Sequence, residues 1–424
     1  MTLVSLMTSS DLSNTQLAPL DRAKQLAATL LSERSEASGA LVARQLHEVL
    51  GALDAAGRHG FQRYLATEFQ PDRAALRGAA ERYLADGTAE AAAALARAAD
   101  PPRQELLRRI NMALGGTGAL IAMRSEIASC LRGEPVLKLL DADLKHLFAS
   151  WFNRGFLELR RIDWQTPAAV LEKLIAYEAV HEIKGWDDLR RRLAPDRRCF
   201  AFFHPALPGE PLIFVEVALV QGLATAMPPL LSRETDEDTA RAQAARADTA
   251  IFYSISNCQD GLRGISFGNL LIKQVVEELK AEFPQLTRFS TLSPIPGFRR
   301  WLGQRLAKGG DPDAALLPQL ESDGWWNDPT QSEKLRAPLL RLCARYLTRQ
   351  PSIRIDPVAR FHLGNGARLE RINWLGDSSP RGIQESFGIM VNYLYDRESI
   401  EDNHKAFVRG TIVRSPDVDA LLQA

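Results

Sequence analysis

Apolar residues recur at helical spacing along the first part of the chain. Leu20, Ala23, Ala27, Leu30 and Leu31 share one face, and Leu41, Leu46, Val49, Leu50 and Leu53 form a second stripe. Thr88 to Ala99 is almost all alanine with Glu and Arg, a strong helix former that offers little core. Asp100-Pro101-Pro102 interrupts it, and Pro102 suits the first turn of the next helix. Further helical runs cover Gln104 to Leu114, Leu120 to Leu131 and Leu137 to Trp151, separated by Gly115-Gly116 and Gly133-Glu134-Pro135. The spacing therefore predicts helices from Leu17 to about Arg161, and one more from Thr166 to Val180.

Beyond Gly185-Trp186 the pattern changes. Cys199 to Phe203 and Leu212 to Leu219 are continuous apolar and β-branched runs, separated by prolines and Gly209, which predicts a β-hairpin. Ser232 to Asp248 is charged and alanine-rich, a solvated helix or a connection. Ile251 to Ile255 reads as a buried strand, followed by glycines at 261, 264 and 268 and a helical run through Leu270, Leu271, Val275, Val276 and Leu279. Arg288 to Leu292 is a strand ended by Ser293-Pro294-Ile295-Pro296-Gly297, and Arg299 to Arg349 is a helical insertion. Asp356-Pro357 opens a helix that stops at Gly364-Asn365-Gly366, with His362 in its last turn. Arg368 to Trp374 alternates like a strand. Ile383, Phe387, Met390, Val391 and Leu394 predict a helix over Pro380 to Tyr395. The chain is thus α+β and multidomain: an all-α bundle over residues 1–183, then an α/β domain over 184–424.

Composition narrows the classes. With 52 Lys plus Arg against 52 Asp plus Glu in 424 residues, overall charge gives no reason to expect nucleic acid or an anionic membrane as partner. No apolar run approaches the roughly 18 residues of a membrane span. Met1 to Asn14 carries neither a secretory pattern nor the arginines of a transit peptide, so a cytoplasmic enzyme with reduced thiols is expected. Cys130, Cys199, Cys258 and Cys343 are widely separated, with no Cys-x-x-Cys pair. Cys199 and Cys258 are either redox-active or buried and inert.

The chemistry concentrates in three places. A strand, a glycine-rich turn and a helix N-terminus gather free N–H groups around one point, which is a phosphate or pyrophosphate site. The turn is neither a dinucleotide fingerprint nor a P-loop, since Gly-x-Gly-x-x-Gly and Gly-Lys-Ser/Thr are both absent from it. Ser293 precedes a proline, so its backbone is held extended at a strand end by a stiff turn. His362 carries an imidazole that titrates near neutrality, and a helix C-terminus favours its protonated form by about 0.3–1 kcal/mol.

Leu292-Ser293-Pro294-Ile295-Pro296-Gly297-Phe298 and Phe361-His362-Leu363-Gly364-Asn365-Gly366-Ala367 together resemble the malonyl-CoA decarboxylase family. Arg371-Ile372-Asn373-Trp374 and Phe252-Tyr253-Ser254-Ile255-Ser256 extend the resemblance, which covers roughly Trp151 to Tyr395. It implies a catalytic domain of the N-acetyltransferase-superfamily (GNAT) fold with a mixed sheet. It also implies a homo-oligomer, a tetramer built as a dimer of dimers through the helical domain.

Carried over by motif, the resemblance makes Ser293, His362 and Tyr395 catalytic. It assigns malonyl-CoA binding to Gln259, Gly261, Arg263, Gly264, Ile265, Ser266, Phe267, Gly268 and Asn269, together with Ser293 and His362. An acidic residue that some relatives carry in the glycine loop is Ser266 here. The activity implied is conversion of malonyl-CoA to acetyl-CoA and CO₂, with His362 as proton donor and Ser293 holding the carboxylate or relaying a proton. Neither metal nor organic cofactor is expected, because the thioester is itself the electron sink; coenzyme A enters only with the substrate. Lys273, Arg299 and Arg300 are candidates for the 3′-phosphate of coenzyme A. An acyl-CoA-dependent acyltransferase and a non-catalytic acyl-CoA sensor are the competing readings.

Overall fold

Local capping chemistry sets the helix starts. Ser35, Asp54, Asp72 and Thr88 each stand just before a helix and accept a hydrogen bond from the backbone N–H three residues on. The computed structural model describes residues 17–232, 236–265, 270–307, 316–322, 324–348 and 355–423. Contacts divide the chain into two units, one of residues 1–157, 203–210 and 259–267, the other of residues 158–202, 211–258 and 268–424.

The first unit is helical. It contains α1 (Pro19–Ser32), α2 (Glu36–Ala52), α3 (Ala55–Glu68), α4 (Arg73–Asp86), α5 (Ala89–Ala99), α6 (Pro102–Asn111), α7 (Gly116–Cys130) and α8 (Leu137–Trp151). Its core draws on the predicted runs, with Leu30, Leu46, Leu106, Leu120 and Phe148 fully buried or nearly so and Phe61 added from α3, while Leu41 of the second stripe is exposed. The alanine-rich α5 buries none of its residues, as its small side chains predict. The unit also holds a single helical turn at Asp260–Leu262, packed against α7.

The second unit is built on one seven-stranded sheet: β1 (Glu158–Ile162), β2 (Arg197–Phe203), β3 (Ile213–Val220), β4 (Thr249–Asn257), β5 (Arg288–Thr291), β6 (Arg368–Asn373) and β7 (Met390–Tyr395), in the order β1-β2-β3-β4-β5-β7-β6. The predicted hairpin is β2 and β3, paired antiparallel from Arg197 with Ala218 to Phe202 with Ile213. Both strands are buried on both faces, which is why they read as continuous apolar runs rather than alternations. β4 and β5 are parallel, from Thr249 with Arg288 to Phe252 with Thr291, while β7 pairs antiparallel with both β5 and β6. The sheet is therefore mixed, in agreement with the GNAT-like catalytic domain that the resemblance implies.

The helices of this unit are α9 (Ala168–Tyr177), α10 (Trp186–Arg192), α11 (Pro228–Leu231), α12 (Glu237–Arg246), α13 (Leu270–Glu282), α14 (Phe298–Leu306), α15 (Leu317–Leu320), α16 (Pro329–Thr348), α17 (Pro357–Gly364), α18 (Pro380–Ser386), α19 (Ile400–Val408) and α20 (Pro416–Gln423). Two sequence expectations fail here. Pro380 to Tyr395 is not one helix: α18 ends at Ser386, Phe387 and Gly388 turn the chain at φ 57° and 76°, and the rest is β7. The apolar positions of a strand buried on both faces matched a helical period by coincidence, and the αL cap broke the helix. Helix also does not run to Arg161, because Glu158–Ile162 forms β1, an edge strand that buries only Ile162.

Candidate active site

α17 starts where its sequence dictates. Asp356 caps it by accepting from the N–H of Val358 (2.9 Å) and Ala359 (3.4 Å), with Pro357 in the first turn. The same carboxylate accepts from the Gly297 N–H at 2.9 Å and the Tyr346 hydroxyl at 3.4 Å. One buried side chain thus ties the turn that follows Ser293 to the helix that carries His362. Burial raises the Asp356 carboxyl above the usual carboxylate range, against the pull of those N–H groups.

Ser293 lies just past β5 and is pinned by its main chain: its N–H donates to the Val391 carbonyl (2.8 Å), and its carbonyl accepts from the Val391 N–H (2.9 Å). Its Oγ is 3.1 Å from His362 Nε2 and donates to Thr291 Oγ1 at 2.8 Å. His362 Nδ1 is 2.8 Å from the Tyr395 hydroxyl. With the Ser293 proton directed to Thr291, the contacts are satisfied by a proton on Nε2 and an Nδ1 that accepts from Tyr395. Tyr393 stacks on the imidazole with centroids 4.8 Å apart. The three site side chains, 69 and 33 residues apart along the chain, form one buried line.

The electrostatics correct the expectation of a protonated His362. Desolvation drives its pKa from 6.5 to about 3, and burial holds the Tyr395 hydroxyl well above its ordinary value. A surface helix C-terminus would favour imidazolium, but desolvation of a fully buried ring outweighs that small dipole effect. His362 therefore rests as a neutral imidazole. Nitrogen NMR of the imidazole is expected to show neutral, Nε2-protonated His362 across the ordinary pH range, and kcat to lack an acid limb near 6.5. A titration midpoint near 6.5 in the folded protein would sink this assignment.

Ser293 and His362 line a cavity of about 270 Å³ together with Val180, Phe252, Ser254 and Asn257. The remaining lining is apolar, and no lysine or arginine contributes to it among the described residues. Ser254 donates to Glu178, whose carboxylate also takes the Val180 and His181 N–H groups. Behind this wall Arg192, 4% exposed, pairs with Glu216, 1% exposed, at 2.5 Å and donates to the His181 carbonyl.

The predicted binding loop is only partly described. Ser266, Phe267, Gly268 and Asn269 lie outside the described residues. Gln259, Gly261, Arg263, Gly264 and Ile265 belong to the helical unit. A Cβ at Gly261 would fall on the Ile121 carbonyl oxygen, so only glycine fits there. Buried Arg124 holds this stretch: it donates to the Gly261 carbonyl (2.5 Å) and the Arg263 carbonyl (3.0 Å), and pairs with Asp141 at 2.9 Å. Sequence reading found no chemistry in the helices and missed Arg124. Its one trace was an arginine among apolar neighbours in Leu120 to Leu131. Thr291 was missed too, although it lies two residues from Ser293 on the same face of β5.

Of the phosphate candidates, Arg299 is engaged elsewhere, with its guanidinium on the Ile383 carbonyl and over the Phe387 ring. Lys273 lies 3.9 Å from Glu401, and Arg300 is exposed. Cys199 is buried, and its thiol is pushed well above its ordinary value, which favours the inert reading. Among the described residues no three His, Cys, Asp or Glu side chains converge as metal ligands, and no helix is long and apolar enough to cross a membrane.

A hydroxyl and a neutral imidazole on the wall of a pocket, backed by a phenol and set beside a mixed sheet, form a hydrogen-bonded site in a protein of the α+β class. Its family is given by two matches: the malonyl-CoA decarboxylase C-terminal domain over residues 155–424 and the malonyl-CoA decarboxylase N-terminal domain over residues 69–152. The chain belongs to the malonyl-CoA decarboxylase family, whose members are carboxy-lyases. It is 39% identical over 340 residues to the mitochondrial malonyl-CoA decarboxylase of Anser anser anser, an alignment covering 73% of this chain and 66% of the goose protein. The crystal structure of malonyl-CoA decarboxylase from Rhodopseudomonas palustris superimposes with a TM-score of 0.89 at 49% identity, covering 96% of this chain and 100% of that one. The Agrobacterium vitis structure gives the same TM-score and identity, over 94% and 99%.

Proposed function

We propose that this chain converts malonyl-CoA to acetyl-CoA and CO₂ by an enolate mechanism run from the Tyr395–His362–Ser293–Thr291 line. The observation that carries it is that line, whose Ser293 and His362 face a cavity with no lysine or arginine in its lining among the described residues. A malonyl carboxylate in such a cavity loses hydration without gaining a counter-ion. Its charge is better accommodated once spread over an enolate, so the lining favours breaking the bond to CO₂.

The Ser293 hydroxyl, released from Thr291, donates to the carboxylate and turns it out of the thioester plane. The C–C bond then breaks, CO₂ leaves, and the electron pair passes onto the thioester oxygen. His362 Nε2–H protonates the α-carbon of the enolate. Nδ1 takes the Tyr395 proton as Nε2 loses its own, so the ring stays neutral and the charge passes to the Tyr395 oxygen; a solvent proton reaching Nε2, with the Nδ1 proton returning to Tyr395, restores the resting state. A carbanion equivalent is basic enough to take a proton from neutral imidazole, so a low histidine pKa is no obstacle. Thr291 is a positioning residue here, because it orients the Ser293 proton at rest. The reaction so written uses no metal or organic cofactor.

Assembly through the helical unit is part of the same reading. It is supported by Leu84, Met112 and Leu114, which stand 83%, 75% and 96% exposed there.

A product assay tests the proposal. Malonyl-CoA alone, with no added acceptor, is expected to yield acetyl-CoA and CO₂ in equal amounts. Turnover that requires an added amine would replace this reading with acyl transfer.

A further inference from the structure

A second cavity in the sheet-containing unit, of about 680 Å³, shares no lining residue with the one at Ser293 and His362. Five arginines line it, at positions 161, 190, 191, 198 and 241, against two carboxylates, Asp187 and Glu237. The arginines are not equivalent. Arg191 is engaged in a two-point pair with Asp196 (2.6 and 2.9 Å), and Arg198 in another with Glu282 (2.9 and 2.5 Å). Those two are structural.

The other three are held loosely. Arg241 pairs with Glu237 at 3.0 Å across one exposed helical turn, and Arg161 reaches Glu282 at 3.3 Å from a side chain 47% exposed. Arg190 is exposed, and its guanidinium lies 5.4 Å from the Trp164 ring centroid. Solvated pairs of this kind are weak and exchange readily for a better acceptor. Trp164 is itself 47% exposed at the cavity, and Ala240, Ala244 and Ala245 add small side chains that leave room for a flat group. Guanidinium forks facing one cleft match phosphate oxygens, and an exposed indole offers a face on which an aromatic base can stack. The cavity volume lies within the range of small-molecule sites.

We propose that this cleft binds a nucleoside polyphosphate, with Arg161, Arg190 and Arg241 on the phosphates and Trp164 against the base. Neither the malonyl-CoA chemistry nor the Ser293–His362 line uses these residues, so this proposal stands or falls apart from the catalytic reading.

The test uses the intact chain and ATP, followed by calorimetry and tryptophan emission. ATP is expected to bind, to quench emission less in Trp164→Phe than in the parent, and to persist under saturating acetyl-CoA. Binding is expected to weaken at least about tenfold in the Arg190→Glu/Arg241→Glu variant, as loss of charge-assisted hydrogen bonds implies. Malonyl-CoA turnover in that variant should stay unchanged, which also certifies its fold. Displacement of ATP by acetyl-CoA would put the nucleotide in the substrate's own site and overturn the proposal. So would absence of ATP binding, or pyrophosphate binding as tightly as ATP with Trp164→Phe without effect. A changed oligomeric state in the double variant would mark the cleft as an interface between copies and overturn it equally.

Discussion

His362→Asn is expected to lower kcat for CO₂ release by roughly 10²–10⁴-fold, the span typical of removing a positioned proton donor. KM should move far less, because the proposed mechanism gives the imidazole a proton to transfer at the reacting carbon and no contact with the nucleotide tail. Ser293→Ala should lower kcat as well, and the double variant should be little worse than the poorer single one. That non-additivity is the signature of groups acting as a unit, and the 3.1 Å contact between Oγ and Nε2 is its structural basis. Single-turnover release of labelled CO₂ measures the chemical step free of product release. A His362→Asn protein that decarboxylates within a few-fold of the parent rate would remove the imidazole from the mechanism.

Arg192→Met is expected to cost about 3–5 kcal/mol of folding stability above pH 8, where Glu216 is ionised, the usual penalty for leaving one member of a buried ion pair alone. The pair is deep: Glu216 Oε2 accepts from Arg192 Nη1 at 2.5 Å, and neither side chain exceeds 4% exposure. Desolvation already drives the Glu216 carboxyl from 4.5 to about 8, although Arg192 pulls the other way. The sign follows. Between 4.5 and 8 the folded chain holds a proton that the unfolded chain has released, so this group's contribution to stability declines as pH rises across that window. Without Arg192 the folded pKa rises further, so the deficit of the variant should grow as pH rises above about 8, where the parent can ionise Glu216 beside a cation and the variant cannot. Replacing both partners, as Arg192→Met/Glu216→Leu, should recover most of the loss. Urea midpoints at neutral pH and above pH 8 decide it; a single variant as stable as the parent at the higher pH would show that the pair is not desolvated as described.

What was legible in the sequence was mostly local. The start of α17 was written in Asp356-Pro357 and its end in Gly364-Asn365-Gly366, because caps and stops depend on neighbours within one turn. Ser293 was legible as a fixed hydroxyl because Pro294 restricts the residue before it. That Ser293, His362 and Tyr395 share one line was not legible from spacing, since 69 residues separate the first two; β5 beside β7 brings Ser293 near Tyr395, and Asp356 ties the turn after Ser293 to the helix of His362; the family resemblance supplied the grouping. The charge state of His362 was misread for the same reason: burial is set by Tyr393, Phe361 and Tyr395 around the ring, while helix position is the only term visible along the chain. β7 was misread because a strand buried on both faces has no alternation to betray it.

The reciprocal bonds between Ser293 and Val391 have a consequence for altering this enzyme. Both main-chain groups of the serine are occupied by a neighbouring strand, so its backbone coordinates do not depend on what hangs from its Cβ. The position is a fixed mount: cysteine or another small head group installed there will face the same cavity from the same point, which makes it a natural anchor for reactive probes.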